Sequence, residues 1–245
     1  MFAWAVAGAL WAQEARQIVE EAQRRSRADS ERYQGTLEVI DARGRRNLKR
    51  WTYQRLGSHG NSKAIIRFTD PPEVRGVALL ILNHPERASD QWMWTPATQR
   101  ERRIAIQDRS TRFFGTDFSF EDLEERDVNQ YEYRMMGEET IEGAPCWKIE
   151  SRPRKTRASQ YSHSLLWIRK ENYTLARIEN YVGREPVRRA NYREVQNVQG
   201  IWTPRLIEMH DLRRNSRTLL RLERLEYNVP LKESEFTLQA LRRGS

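Results

Sequence analysis

Residues 173–227 read YTLARIENYVGREPVRRANYREVQNVQGIWTPRLIEMHDLRRNSRTLLRLERLEY. Apolar side chains alternate with charged ones through Tyr173–Tyr181, Val187–Val195, Ile201–His210 and Thr218–Tyr227, and the runs are separated at Gly183, Gln199-Gly200 and Arg214-Asn215. A period of two sends successive side chains to opposite faces of a strand. The pattern therefore predicts antiparallel strands with one greasy and one wet face. It starts further upstream. Tyr131, Tyr133 and Met135 alternate with Glu132 and Arg134, Trp147 and Ile149 with Lys148 and Glu150, and Leu165 and Trp167 lead into the tight turn Lys170-Glu171-Asn172.

The first half repeats the theme. Gln13–Arg27 reads as a helix, with Ala15, Ile18, Val19 and Ala22 on one face. The period then changes to two over Tyr33–Val39, Leu48–Leu56 and Ala64–Phe68, with turns at Asp41–Gly44, Gly57–Asn61 and Asp70-Pro71-Pro72. Gly76–Leu82 (GVALLIL) is apolar on both faces and reads as a strand covered on both sides, with the Gln13–Arg27 helix as the candidate cover. A short strand, Gln91–Thr95, carries Trp92 and Trp94 on one side. This makes about a dozen strands with no βαβ spacing, and a sheet that long curls into a barrel or half-barrel. No Pro- or Ser-rich linker divides the chain, so residues 13–245 read as a single domain.

One stretch breaks the alternation. Ala105–Asp127 holds Phe113, Phe114, Phe118 and Phe120 within eight residues. A short helix is expected to start near Asp117, capped by Asp117 or Ser119; such a segment folds over a core edge or acts as a flap across a cavity mouth. The pairs Glu121-Asp122 and Glu124-Glu125 read as solvated helix termini.

Composition narrows the function. The chain has 43 Lys and Arg against 34 Asp and Glu, a net charge of +9, and its mean hydropathy is −0.87. Such a surface favours anionic partners. The basic residues are spread along the whole chain, whereas a nucleic-acid binder concentrates them. The single cysteine, Cys146, rules out an internal disulfide and reads as a buried, inert thiol. His59, His84, His163 and His210 have no metal-ligand spacing. No nucleophile–base constellation appears, so neither an enzyme nor a cofactor is expected. Met1–Ala12 (MFAWAVAGALWA) is apolar, uncharged and too short to span a bilayer. It is expected to be the remnant of a secretory signal peptide, cleaved after Ala12.

The runs Val74–Ala78, Asp90–Pro96, Arg102–Ile104 and Gly115–Leu123, followed by Gly200–Pro204, Asn228–Leu231 and Glu235–Thr237, are familiar in their order and spacing. Across roughly Tyr33 to Leu241 they resemble the outer-membrane lipoprotein-sorting proteins, the LolA-like family. The resemblance implies a mainly β fold: an incomplete antiparallel β-barrel with helices in its concavity. It also implies a monomeric periplasmic carrier of lipoprotein acyl chains or another lipid, working beside an inner-membrane lipid exporter of the RND type.

Carriage of an acyl chain needs only a dry concave surface. At about 0.8 kcal/mol per methylene, roughly ten methylenes give ~8 kcal/mol before ordering costs, a micromolar affinity. Leu37, Trp51, Phe68, Trp92 and Trp94 are expected to line the cavity, and Phe113, Phe114, Phe118 and Phe120 to form the flap. Arg100, Arg102 and Arg103 are candidates for contact with lipid headgroups, although outward-facing strand charge also explains them. The alternative function is a non-enzymatic basic sheet that binds nucleic acid or docks an acidic protein.

Overall fold

The computed structural model describes residues 2–85, 87–155 and 157–243, with side chains described from Ala12 onward. Helix α1 (Phe2–Arg25) precedes six strands: β1 (Ser30–Ile40), β2 (Arg46–Ser58), β3 (Asn61–Asp70), β4 (Ala78–Leu82), β5 (Asp90–Thr95) and β6 (Arg100–Arg103). After a long crossing come β7 (Tyr131–Ile141), β8 (Ala144–Pro153), β9 (His163–Arg169), β10 (Leu175–Val182), β11 (Glu185–Val198), β12 (Ile201–Asp211) and β13 (Ser216–Tyr227), then a short helix α2 (Leu238–Arg242). The described residues thus form one 13-stranded sheet in the order β6-β5-β4-β3-β2-β1-β13-β12-β11-β10-β9-β8-β7. Every pairing is antiparallel. The mainly β, open-barrel expectation holds.

The order exposes the construction. Two meanders, β1–β6 and β7–β13, are zipped together by the pairing of the first strand with the last, with Leu37 opposite Leu220. The free edges are β6 and β7. They are consecutive in sequence, so residues 104–130 must run from one edge of the sheet to the other. Both edges carry exposed charge, Arg100–Arg103 on one and Glu132, Arg134, Glu138 and Glu139 on the other. Such charge discourages pairing with a further chain.

The concave face carries the main core. Tyr33 and Leu37 of β1, Trp51 of β2, Ile66 and Phe68 of β3, and Leu79 and Ile81 of β4 are buried there with Leu166, Ile178, Leu220 and Leu222 from the second meander. Ala15, Ile18 and Val19 of α1 join them, so the predicted helix face is the buried one. Between Arg32 and Gln34 of β1 the register with β13 shifts by one residue, and Arg224 takes a φ of 47°. This bulge turns Leu225 and Tyr227 inward beside Leu220 and Leu222, although the two pairs differ in parity.

β4 is covered on both sides, as its composition predicts, but α1, the candidate cover on the concave face, does not pack mainly on it. α1 packs against β7. Ala78 and Leu80 instead meet Phe236 and Leu241 from the C-terminal segment, on the convex face. Trp92 and Trp94 belong to the same outer cluster, because Trp92 pairs with Leu80 and Trp94 with Ala78. The expectation that these indoles point into the cavity is corrected. In β5 the inward positions fall to Gln91 and Met93. Deleting most of a fully buried leucine side chain costs about 2–5 kcal/mol. Leu241→Ala is therefore expected to destabilise the protein by about that amount in urea unfolding, with α2 and the β4–β5 corner loosening first in hydrogen exchange.

Candidate functional site

Residues 104–130 cross the concave face and divide it. Phe113, Phe118 and Phe120 are buried, and Phe114 is half-buried against the same core. Phe113 stacks on Phe68 at 5.3 Å and meets Trp51 at 6.3 Å, Phe114 at 5.3 Å and Phe120 at 5.6 Å. The aromatic segment is thus a packed plug on the β1–β4 side of the bowl. Its regular structure at the acidic run is a three-residue 3-10 turn, Glu121–Leu123, shorter than the helix expected from Asp117. Ser119 closes it in the manner of a cap, its N–H and hydroxyl both donating to Asp122.

The carboxylates here are not solvated helix termini, as their sequence suggested. They are the anchors of the crossing. The side chain of Asp117 is fully buried and accepts from Ser216 Oγ at 2.5 Å, Thr218 Oγ1 at 2.7 Å and Arg112 at 2.8 Å, which ties the plug to β13. Glu124, also fully buried, pairs with Arg109 at 3.2 Å and Arg157 at 3.1 Å, and Gln91 Nε2 donates to it at 2.8 Å. Asp122 accepts from the Tyr161 hydroxyl, which in turn accepts from Arg188. Glu31 and Glu125 share one guanidinium, that of Arg55, at 2.7 and 3.3 Å. Burial pushes both of these carboxyls above the usual glutamate range, with Arg55 pulling the other way and the two acids repelling each other.

Beyond the plug lies a hollow of about 480 Å³. Its walls are Val19 and Ala22 of α1, Tyr33, Trp51 and Tyr53 of the first meander, and Leu166, Ile168, Ile178, Ala190, Ile207, Met209, Leu220 and Leu222 of the second. Phe118 and Leu123 form the side toward the plug. Tyrosines are prominent among its polar groups, beside partnered acids and arginines. Tyr33 and Tyr53 stack at 4.7 Å, and burial pushes the phenols of Tyr192 and Tyr227 up to about 12. They are uncharged at neutral pH. Around the hollow's rim stand Ser26, His59, Tyr173 and Trp202, the last 44% exposed. Arg25 lies over the Tyr173 ring at 4.1 Å and so links the end of α1 to the β9–β10 turn. Trp51 lies flat on Gly35, where any Cβ would collide with its indole.

Of the aromatic and aliphatic side chains singled out from sequence, Trp51 and Phe118 line the hollow. Leu37, Phe68, Phe113, Phe114 and Phe120 face the same side but are packed in the core and plug, and Trp92 and Trp94 lie on the opposite face. Tyr33, Tyr53, Tyr192 and Met209 were legible only as alternating strand residues. Arg100, Arg102 and Arg103 are exposed on edge strand β6, where Arg102 meets Asp108 at 3.3 Å and Arg103 meets Asp90 at 2.5 Å. They are not part of the hollow's lining. Cys146 is buried on the outer face, and burial raises its thiol pKa.

Residues 60–243 match a family model described as that of an uncharacterized protein, and the chain belongs to this family. No curated protein matches it. Among solved structures, a DUF1329 family protein from Desulfovibrio piger is 23% identical with a TM-score of 0.90, over 94% of this chain and 99% of that one. A domain named for outer-membrane lipoprotein sorting, from Vibrio parahaemolyticus, is 22% identical with a TM-score of 0.89, over 95% and 100%. A LolA superfamily protein from Nitrosomonas europaea is 21% identical with a TM-score of 0.73, over 92% and 98%. The resemblance read from the motifs is borne out: the fold is LolA-like.

Two outcomes follow from the buried charges. Glu124→Gln leaves two buried guanidiniums without their carboxylate, and it is expected to cost about 3–5 kcal/mol in urea unfolding. For Glu125, a folded pKa above the unfolded one means that its stabilising contribution is present at low pH and lost as pH rises through the raised value. Glu125→Gln mimics the protonated form. Its stability relative to wild type should therefore improve as pH rises above about 4.5, the ordinary glutamate pKa, as read by urea midpoints.

Proposed function

We propose that the protein is a non-enzymatic carrier that holds one acyl chain, of a lipoprotein or another lipid, in the hollow behind its crossing segment. The observation behind this reading is the hollow itself. It is about 480 Å³ of space walled mainly by aliphatic and tyrosine side chains, within the range of small-molecule sites. Each methylene that enters contributes about 0.8 kcal/mol. Every carboxylate on its lining already has a partner, so a chain entering breaks no ion pair. The LolA-like fold supports the same reading by analogy of architecture.

Residues 1–12 are proposed as a leader that directs residues 13–245, a single carrier domain, to the periplasm. No helix among the described residues is long and apolar enough to cross a membrane. Arg100, Arg102 and Arg103 are proposed to meet anionic headgroups from their exposed edge. An RND-type exporter is proposed as donor on the ground of fold alone. The basic-sheet alternative is weaker, because the outer arginines are answered locally. Arg193 pairs with Glu142 and Glu208, Arg213 with Glu185, and Arg221 with Glu194.

Protein purified without detergent should release lipid on solvent extraction, identified by mass spectrometry. After delipidation it should take up a fluorescent fatty-acid probe with micromolar affinity. Ile207 is half-buried on the hollow's wall, so Ile207→Trp should fill the space and weaken uptake at least about tenfold, with the circular dichroism spectrum unchanged. Absence of both extracted lipid and probe uptake would end the proposal.

A further inference from the structure

Three arginines line the hollow: Arg25, Arg126 and Arg157. Arg25 is held by Glu21 at 2.6 Å and Arg157 by Glu124 at 3.1 Å. Among the described residues Arg126 has no carboxylate within ion-pair distance. Its guanidinium lies over the Tyr131 ring at 4.4 Å. Its hydrogen-bond partners are two buried hydroxyls, Ser151 Oγ at 3.3 Å and Ser164 Oγ at 3.4 Å. Both contacts are long, and Ser164 spends its own proton on Asn180 Oδ1 at 2.7 Å. Every carboxylate on the lining has another partner. Glu31 and Glu125 have Arg55, Glu124 has Arg109 and Arg157, Asp122 has Arg188, and Glu121 accepts from Ser159 and the Gln160 N–H.

A cation facing a largely apolar cavity without a counter-ion is costly. A guanidinium also presents a planar fork that suits a carboxylate or phosphate group. Resting on the acyl-chain reading of this hollow, we infer that the guest is an amphiphile with an anionic head, and that the head enters the hollow and is neutralised by Arg126. The Ser151 and Ser164 hydroxyls hold the guanidinium in place. The hydrocarbon then lies along the aliphatic wall formed by Ile178, Ile207 and Leu220.

Titration calorimetry on delipidated protein at about pH 8, where a carboxylate is ionised, separates the terms. Dodecanoate and dodecan-1-ol share a chain and differ in charge. Wild type should prefer dodecanoate. Arg126→Gln should weaken dodecanoate by about tenfold to a hundredfold, the worth of a charge-assisted hydrogen bond, and leave dodecan-1-ol unchanged. Arg126→Lys keeps the charge and should retain part of the preference. Equal affinities of wild type for acid and alcohol, or an Arg126→Gln effect of the same size on both, would overturn the inference while leaving the carrier reading intact. A wild type that binds neither compound removes both. If Arg126→Gln loses both ligands, Arg126→Lys decides: a retained preference for the acid supports the inference, and no preference overturns it. Inorganic phosphate at the same concentration should not displace dodecanoate; equal displacement would mark a free-anion site and overturn the amphiphile.

Discussion

The fold depends on neutralising the charges of one segment that has to pass through a dry place. The sheet's two free edges are adjacent in sequence, and the chain between them crosses the concave face. Unpaired, the buried acids of that segment would cost far more than the phenylalanines beside them return. Each is matched instead: Asp117 on β13 through Ser216, Thr218 and Arg112, Glu124 through Arg109 and Arg157, and Glu125 through Arg55. These pairs add little net stability, because desolvation cancels most of their attraction. They fix where the segment lies. The hollow exists because the segment is held to one side of the bowl.

Much of this architecture can be read from the sequence, because strand period is a local property. The alternation in Tyr131–Tyr227 and Tyr33–Phe68 locates the strands, and the burial of Ala15, Ile18 and Val19 follows the helical spacing. Faces are harder. Gln91-Trp92-Met93-Trp94 alternates, and hydrophobicity alone assigns the indoles inward. Two distant facts reverse that: a C-terminal segment bringing Phe236 and Leu241 onto the outer face, and a buried glutamate that calls Gln91 inward. The inward turn of Leu225 and Tyr227 depends on a bulge at Arg224, which no periodicity reveals.

The candidate site shows the same divide. Trp51 and Phe118 were legible as large apolar residues in the right elements. The tyrosines were not, since a tyrosine on an alternating strand looks alike whether it packs or lines a space. The acidic run Glu121–Glu125 looked solvated because its partners, Arg55, Arg109, Arg157 and Arg188, are scattered through the chain. Charge density in sequence carries no information about pairing in space.

The zipper between β1 and β13 has a consequence in time. Tyr33, Trp51 and Tyr53 come from one meander, and the aliphatic wall from Leu166 to Leu222 comes from the other. The two are joined by strands nearly two hundred residues apart, Glu31 opposite Tyr227 and Ile40 opposite Arg217. Contacts so remote form late, because loop closure must come first. A growing polypeptide would therefore have no enclosed hollow until its last strand arrives. The closed bowl would then mark a finished molecule.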